Sequence, residues 1–415
     1  MRPLRLLTYT TLFPNGERPN HGIFVENRLR DLLRGGEAES TVLAPVPFFP
    51  SADPRFGDWA RHAKVPRSEM RDGLAVHHPR FPVIPKLGMS LAPLLLYQAS
   101  TRALGRMLGQ GQRFDLIDAH YFYPDGVAAV WLGRHFQLPV VVTARGSDVT
   151  QLPNYAIPRR QLRQAVAGAD GLIAVSAALK RALMGLGAAE ERVEVLRNGV
   201  DTALFHPLDR VAARGRLGLR RPTLISVGLL VERKGHHRVI EAMRLLPDHD
   251  LLILGEGSER ARLEALIARH GLGDRVRLLG SRPHAELAWF YSAADALVLA
   301  SSREGWANVL LEAMACGTPV VASPIPGNPE VVQSAEAGVI APENSPEGIA
   351  AGVRALFAAP PDRAATRAYA ERFGWSATTE GQLALFRRVL SAGPRAAPGS
   401  PAGEARMPAY SGTAR

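Results

Sequence analysis

Two hydrophobic runs joined by a polar loop and a short helix constrain this chain more than any other feature. The stretch is ADALVLASSREGWANVLLEAMACGTPVVAS, from Ala294 to Ser323. Ala296 to Ala300 is a short apolar run, the pattern of a strand buried on both faces of a parallel sheet. Ser301 to Ala307 is a polar loop with a glycine, and Asn308 stands where an N-cap is expected for the run Val309 to Ala315. Gly317 stops that helix, and Thr318 to Ala322 is a second strand. Ligands bind such βαβ units at the loops leaving the strand C-termini. Two carboxylates sit there, Glu304 in the loop and Glu312 on the helix, with seven residues between them. The helix start beside them offers unpaired N–H groups and a partial positive charge, which suit a phosphate.

The frame REGWANVLLEAMACGTPVVAS, with its Glu-x7-Glu spacing, resembles the signature of retaining glycosyltransferases of family GT4. The resemblance implies an α/β chain of the GT-B fold, with two Rossmann-like domains facing across a cleft. The bland alternative is two surface glutamates on an ordinary Rossmann unit.

A chain of 415 residues, 46% hydrophobic and 21% charged, is globular and long enough for two domains. No apolar run reaches the ~18–20 residues that span a bilayer. The N-terminus MRPLRLLTYT turns polar too soon for a signal peptide and reads as a first strand. The single Cys316 excludes an intramolecular disulfide framework and fits a reducing cytoplasm. The net charge of +11 calls for an anionic partner: nucleic acid, a membrane surface or a phosphorylated substrate. Lys and Arg outnumber Asp and Glu ten to three between Arg55 and Arg113. These basic residues lack interleaved aromatics or a recognisable module, which argues against nucleic acid.

The first domain is expected over residues 1–200. Strand Leu4 to Tyr9 feeds the loop TTLFPNGERPNHGIF and a helix from about Val25 to Leu33. In the family this loop faces the donor diphosphate and the acceptor; Gly22 is its counterpart here, with Gly16 second. Residues 46–86 look irregular, and Leu87 to Leu108 looks helical without one clean apolar stripe. That helix is either core or a surface-seeking amphipathic element. Strand Phe114 to Ala119 ends at His120, where a family histidine faces the donor sugar. Strand Pro139 to Thr143 leads to Arg145, Gly146 and Asp148, which resemble the acceptor-side loop. The string RNGVDTALFHP resembles the segment closing the first domain, with a linker over 201–220.

The second domain is expected over 221–373. Strand Thr223 to Val227 leads to GLLVERKG, where the family holds the diphosphate with an Arg after the glycine and a Lys before the next one. Gly228 and Lys234 match, Leu229 takes the arginine's place, and Arg233 stands ready to supply the missing charge. A diphosphate needs such cations once water is excluded. Ser281 and Arg282 fall where the nucleobase edge is met. The string Asp248-His249-Asp250 precedes a strand, at the end of the sheet away from ligand. Glu330 to Gln333 is expected to open a helix. A helix over 374–390 should cross back to the first domain, and 391–415 should be a disordered tail.

From the resemblance, the catalytic set is Glu304, His120, Lys234 and Arg233. Glu312 would take the ribose hydroxyls, and backbone N–H groups at Asn308, Val309 and Leu310 would assist with the diphosphate. The implied partners are a nucleoside-diphosphate sugar and a glycan or polyprenyl-linked acceptor, with membrane-surface association, a cytoplasmic location, and neither metal nor other cofactor. An epimerase or phosphorylase on the same fold is the alternative chemistry.

Overall fold

Buried β-branched runs and the helices between them build two parallel sheets in a computed structural model that describes residues 2–83 and 88–393. The first sheet has eight strands, in the order Val193–Val195, Gly171–Ala174, Val140–Ala144, Leu116–His120, Leu4–Tyr9, Ala38–Leu43, Leu74–His77 and Ser68–Arg71. All neighbours pair in parallel except the last two. The second sheet has six parallel strands: Val276–Leu278, Asp250–Leu254, Thr223–Val227, Ala296–Leu299, Val320–Ala322 and Gly338–Ile340. This is the GT-B arrangement of two Rossmann-like halves.

Helices cover both faces of the first sheet, as an all-parallel core requires. Gly88–Gly109, Val127–Phe136 and Ala156–Gly168 pack on one face. Ile23–Arg34 packs on the other beside the last helix, Ser376–Ala392, whose Leu383, Phe386 and Val389 join Leu6, Val25 and Leu29. The chain therefore returns to its first half after completing the second sheet.

Several local expectations give way. Residues 46–83 are not irregular throughout: Ser68–Arg71 and Leu74–His77 form a hairpin. Its turn is Asp72-Gly73, both with positive φ, a pairing that closes two-residue hairpins. The helix Gly88–Gly109 does have one buried stripe, but through Pro93, Leu96, Ser100, Leu104 and Met107. Leu91 and Leu94 point outward, and Leu87 lies outside the described residues. The stretch expected as a linker contains the helix Arg210–Leu217, capped by Asp209 and tied to the second half by Arg214 on Asp295 at 3.1 Å. The short helix Asn328–Val331 ends before Gln333. The last helix extends through Ala392, beyond the expected limit of 390; residues 394–415 of the expected tail lie outside the described residues.

Candidate active site

In each sheet the strand order reverses once, between Leu4–Tyr9 and Leu116–His120 and between Thr223–Val227 and Ala296–Leu299. Parallel α/β sheets open a crevice beyond the strand C-termini at such a reversal. His120 ends one of these strands, and the loops leaving the other three carry Gly22, Lys234 and Glu304. The halves meet at the same end. Gly146 and Gly305 press backbone on backbone: a Cβ on Gly305 would sit 1.8 Å from the Arg145 carbonyl oxygen. Glu330 reaches from the second half to accept hydrogen bonds from the Ala177 and Ala178 N–H groups, at 2.8 and 2.9 Å, where a helix of the first half begins. A carboxylate there satisfies orphan donors and meets the positive end of the helix dipole.

Lys234 and Glu304 form the centre. Lys234 Nζ lies 2.7 Å from Glu304 Oε1, which also accepts from Ser301 Oγ at 2.7 Å. The two side chains are only 16% and 8% exposed. Burial alone would raise the Glu304 carboxyl, but the Lys234 charge and the hydrogen bonds from Lys234 and Ser301 outweigh it and hold the pKa below its ordinary value. Gly228 lies beneath the Lys234 chain, its Cα hydrogen facing the lysine methylenes. Arg233 makes no side-chain hydrogen bond or ion pair among the described residues, yet its charge is felt by both Glu304 and Tyr121 of the first half. Leu229 is 57% exposed.

Glu312 stands at the other end of this crevice wall. Its Oε1 meets His284 Nε2 at 3.2 Å and its Oε2 accepts from Tyr291 Oη at 3.0 Å. Burial lowers the His284 pKa, but Glu312 more than reverses this, leaving it raised. The carboxylate is thus pre-oriented and retains lone pairs for a further donor. Asn308 is not the N-cap: Ala307 holds that position without a side-chain cap, and Asn308 is the first helical residue. Its Oδ1 instead accepts from Asn198 Nδ2 of the first half at 3.2 Å. The Leu310 N–H is already bonded to the Ala307 carbonyl at 3.0 Å, so the open backbone donors at this helix start are Asn308 and Val309, not Leu310.

On the first-half side, His120 ends its strand as expected but does not face open space. It is 1% exposed; Nε2 lies 3.3 Å from Asp118 Oδ2, and Nδ1 lies 2.7 Å from the Arg145 guanidinium. Burial lowers its pKa, which keeps the imidazole neutral. Arg145 also donates to Asn198 Oδ1 at 3.0 Å and lies over the Phe24 ring. Asp118 accepts from Gln382 of the last helix at 2.9 Å, and Gln382 in turn accepts from Arg28 at 2.9 Å. A buried polar chain thus runs from Arg28 through Gln382, Asp118, His120, Arg145 and Asn198 to Asn308.

Asp148 does not project into the cleft. Fully buried, it accepts from the backbone N–H groups of Phe122, Arg145 and Gly146 and so shapes the loop after Val140–Ala144 from within. Gly22 has φ +70°, and a Cβ there would meet the Leu12 carbonyl at 2.3 Å, so the first loop can fold back on itself only with glycine at this point. That loop is pinned by Asp125, which accepts from the Thr11 N–H and, at 3.1 Å, from its hydroxyl. Burial pushes the Asp125 carboxyl up to about 7. Ser281 lies across the cleft from Asn20 at 3.5 Å, and Arg282 stacks at the edge on Phe290.

The model of the family described as Glycosyltransferase Family 4 matches residues 27–204, and that described as Glycosyl transferases group 1 matches 211–373. A D-inositol 3-phosphate glycosyltransferase of Geodermatophilus obscurus is 33% identical over 369 residues, 81% of each chain. This chain is a family 4 glycosyltransferase. The putative teichuronic acid biosynthesis glycosyltransferase TuaC of Bacillus subtilis is 28% identical over 332 residues, covering 78% of this glycosyltransferase and 82% of TuaC. Among solved structures, Anabaena Alr3699/HepE in complex with UDP-glucose superposes with TM-score 0.68 at 22% identity, over 94% of this chain and 99% of that one.

Sequence reasoning missed Asp118, Asp125, Asn198, His284, Tyr291 and Gln382 as parts of this glycosyltransferase's cleft. Asn198 lay inside a string already singled out, and Asp118 two residues before His120. The others act through contacts as distant in sequence as Gln382 and Asp118, which no local pattern encodes.

Proposed function

We propose that this glycosyltransferase moves a sugar, with retention of anomeric configuration and without a metal, from a nucleoside-diphosphate sugar to a glycan or polyprenyl-linked acceptor in cell-surface polysaccharide synthesis. The observation that carries the donor side is Lys234, beside Arg233 and held on Glu304, which stands four residues before the helix start whose Asn308 and Val309 N–H groups are open. An ammonium, a guanidinium and a helix start with free N–H groups suit a diphosphate. The UDP-glucose held by the Anabaena neighbour supports the same donor class.

In this reading the diphosphate binds to Lys234 and Arg233, and Glu312 grips the ribose diol, its orientation set by His284 and Tyr291. Glu304 contacts the transferred sugar. The acceptor oxygen bonds to the anomeric carbon as the bond to the phosphate oxygen breaks. The acceptor proton passes to that departing oxygen on the same face. Negative charge builds on the leaving group where the cations already stand, so preorganised electrostatics and positioning do most of the catalysis. His120 and Asp118 orient Arg145 on the acceptor side.

No described helix is long and apolar enough to cross a membrane. In this proposal the enzyme works in the cytoplasm and meets a membrane-borne acceptor from the surface. A phosphorylated polyol is the second acceptor to try, because the Geodermatophilus relative bears that acceptor in its name. The test screens UDP-, GDP- and ADP-sugars by thermal shift, then reads transfer with and without EDTA and assigns the product anomer by NMR. Glu304→Ala should abolish transfer with donor binding kept, and Glu312→Ala should mainly raise KM for the donor. Unimpaired turnover in both variants, an inverted product, or loss of activity in EDTA would each overturn the scheme.

A further inference from the structure

The positive charge of the first half extends beyond the sequence run 55–113. Three arginines of that run are paired in place: Arg55 with Asp53 at 2.6 Å, Arg71 with Glu26 at 3.3 Å, and Arg61 with Asp58 at 3.8 Å. A stretch of positive charge with no acidic residue between lies on the three helices that cover one face of the first sheet. Gly88–Gly109, Val127–Phe136 and Ala156–Gly168 together carry six arginines and no aspartate or glutamate. Four of these, Arg134, Arg159, Arg160 and Arg163, line a single open cavity of about 590 Å³. None forms an ion pair among the described residues; Arg159 donates only to the Pro153 carbonyl.

Four like charges around one hollow repel one another unless an anion sits among them. Nothing on the helix faces that reach the core needs them, since Pro158, Leu162, Ala165 and Val166 fill that side of Ala156–Gly168. The same surface also exposes apolar groups. Tyr155 and Ile157, at the start of the arginine helix, are 47% and 55% exposed. Gln161, one turn further on, donates to the Ser90 carbonyl at 3.3 Å and so brings the exposed Leu91 and Leu94 of Gly88–Gly109 to the edge of the patch. Arginines around a hollow, flanked by outward tyrosine, isoleucine and leucine, match the two layers of a lipid surface: anionic headgroups and the acyl boundary below them.

We infer that this acid-free, three-helix face docks on an anionic phospholipid surface, with headgroup phosphates seated in the cavity of Arg134, Arg159, Arg160 and Arg163. The inference builds on the membrane-borne acceptor proposed above and adds the place of contact and its chemistry. Docking through this face presents the enzyme sideways to the bilayer, leaving the crevice between the halves open to the soluble donor.

The test is co-sedimentation of the full chain with phosphatidylcholine vesicles, with and without phosphatidylglycerol, at low and high salt. Donor binding by thermal shift is run in parallel, so that loss of docking is distinguished from failure of the donor reading. Binding should require phosphatidylglycerol and fall in high salt. Each arginine near such a surface is worth about fivefold in partition, so Arg159→Gln/Arg160→Gln/Arg163→Gln should weaken binding about a hundredfold with the donor shift unchanged. Ile157→Asp should weaken it at any salt concentration. The control Arg102→Gln/Arg106→Gln keeps the cavity and should weaken binding by no more than about twenty-fivefold. Vesicle binding that survives the triple substitution would overturn the inference. So would absence of vesicle binding together with a stabilising shift from inorganic pyrophosphate, which would mark the hollow as a site for a free anion.

Discussion

Replacing Lys234 with methionine tests the centre of the crevice, because Met keeps the length and apolar stem of the chain and removes only the ammonium. At 2.7 Å and an effective dielectric of about 20, the attraction to Glu304 is about 6 kcal/mol before desolvation is counted. Both groups have left most of their water, so the net worth of the pair is far smaller; removing one partner is costly because it strands the other. Breaking a buried pair typically costs about 3–5 kcal/mol. Lys234 keeps 16% of its surface, so the expected loss for Lys234→Met is about 2–4 kcal/mol near neutral pH. The pH dependence carries a definite sign. Glu304 has a depressed pKa in the native protein, so its stabilisation is present above the unfolded carboxylate value and fades as pH falls through the native one. The gap between wild type and variant should therefore be widest near pH 7.5 and close below about pH 4. Urea unfolding followed by tryptophan fluorescence at both pH values reads this directly. Glu304→Gln added to Lys234→Met should recover much of the loss, since no stranded charge remains. A gap that is absent at pH 7.5, or that does not shrink in acid, would refute the reasoning. Transfer should fall in the same variant regardless of stability if, as proposed, Lys234 holds the leaving diphosphate.

Three further outcomes follow from the geometry. Asp125 has a raised pKa, so between its unfolded value and about 7 the native state binds the extra proton and its contribution to stability falls as pH rises; Asp125→Asn should flatten that part of the thermal-midpoint profile, and an unchanged profile would remove the argument. Gln382→Leu leaves Arg28 Nε buried without a partner and Asp118 Oδ2 with His120 alone, and should cost about 1–3 kcal/mol in chemical unfolding, with a loss under 0.5 kcal/mol counting against a connected chain. Gly305→Ala places a methyl against the Arg145 carbonyl, so small-angle scattering should show a larger radius of gyration with kcat reduced and each half still folded.

The sequence was most informative where structure is local. Thr223–Val227 and Asp250–Leu254 were legible to the residue, because a strand buried on both faces must be an unbroken apolar run. The hairpin at Asp72-Gly73 was equally visible and was overlooked within a proline-rich, basic stretch. The helix Gly88–Gly109 was misread for a different reason. Its leucines are distributed all round, and the neighbours it packs on, rather than its own pattern, decide that Leu96 and Leu104 face inward and Leu94 outward.

The chain by itself determined the architecture and the chemical character of the cleft: alternating buried strands and helices, glycines at the turns, Glu304 and Lys234 after strand ends, and Glu312 on the helix that follows. Those properties reside in runs of a few residues, where periodicity and turn chemistry act directly. Tertiary structure alone decided which of these groups are free. It paired Lys234 with Glu304, enclosed His120 between Asp118 and Arg145, turned Asp148 inward, and gathered Arg134 with three arginines of another helix. A charge is open or satisfied according to what stands within about 4 Å in space, and sheet order, not sequence order, sets that distance.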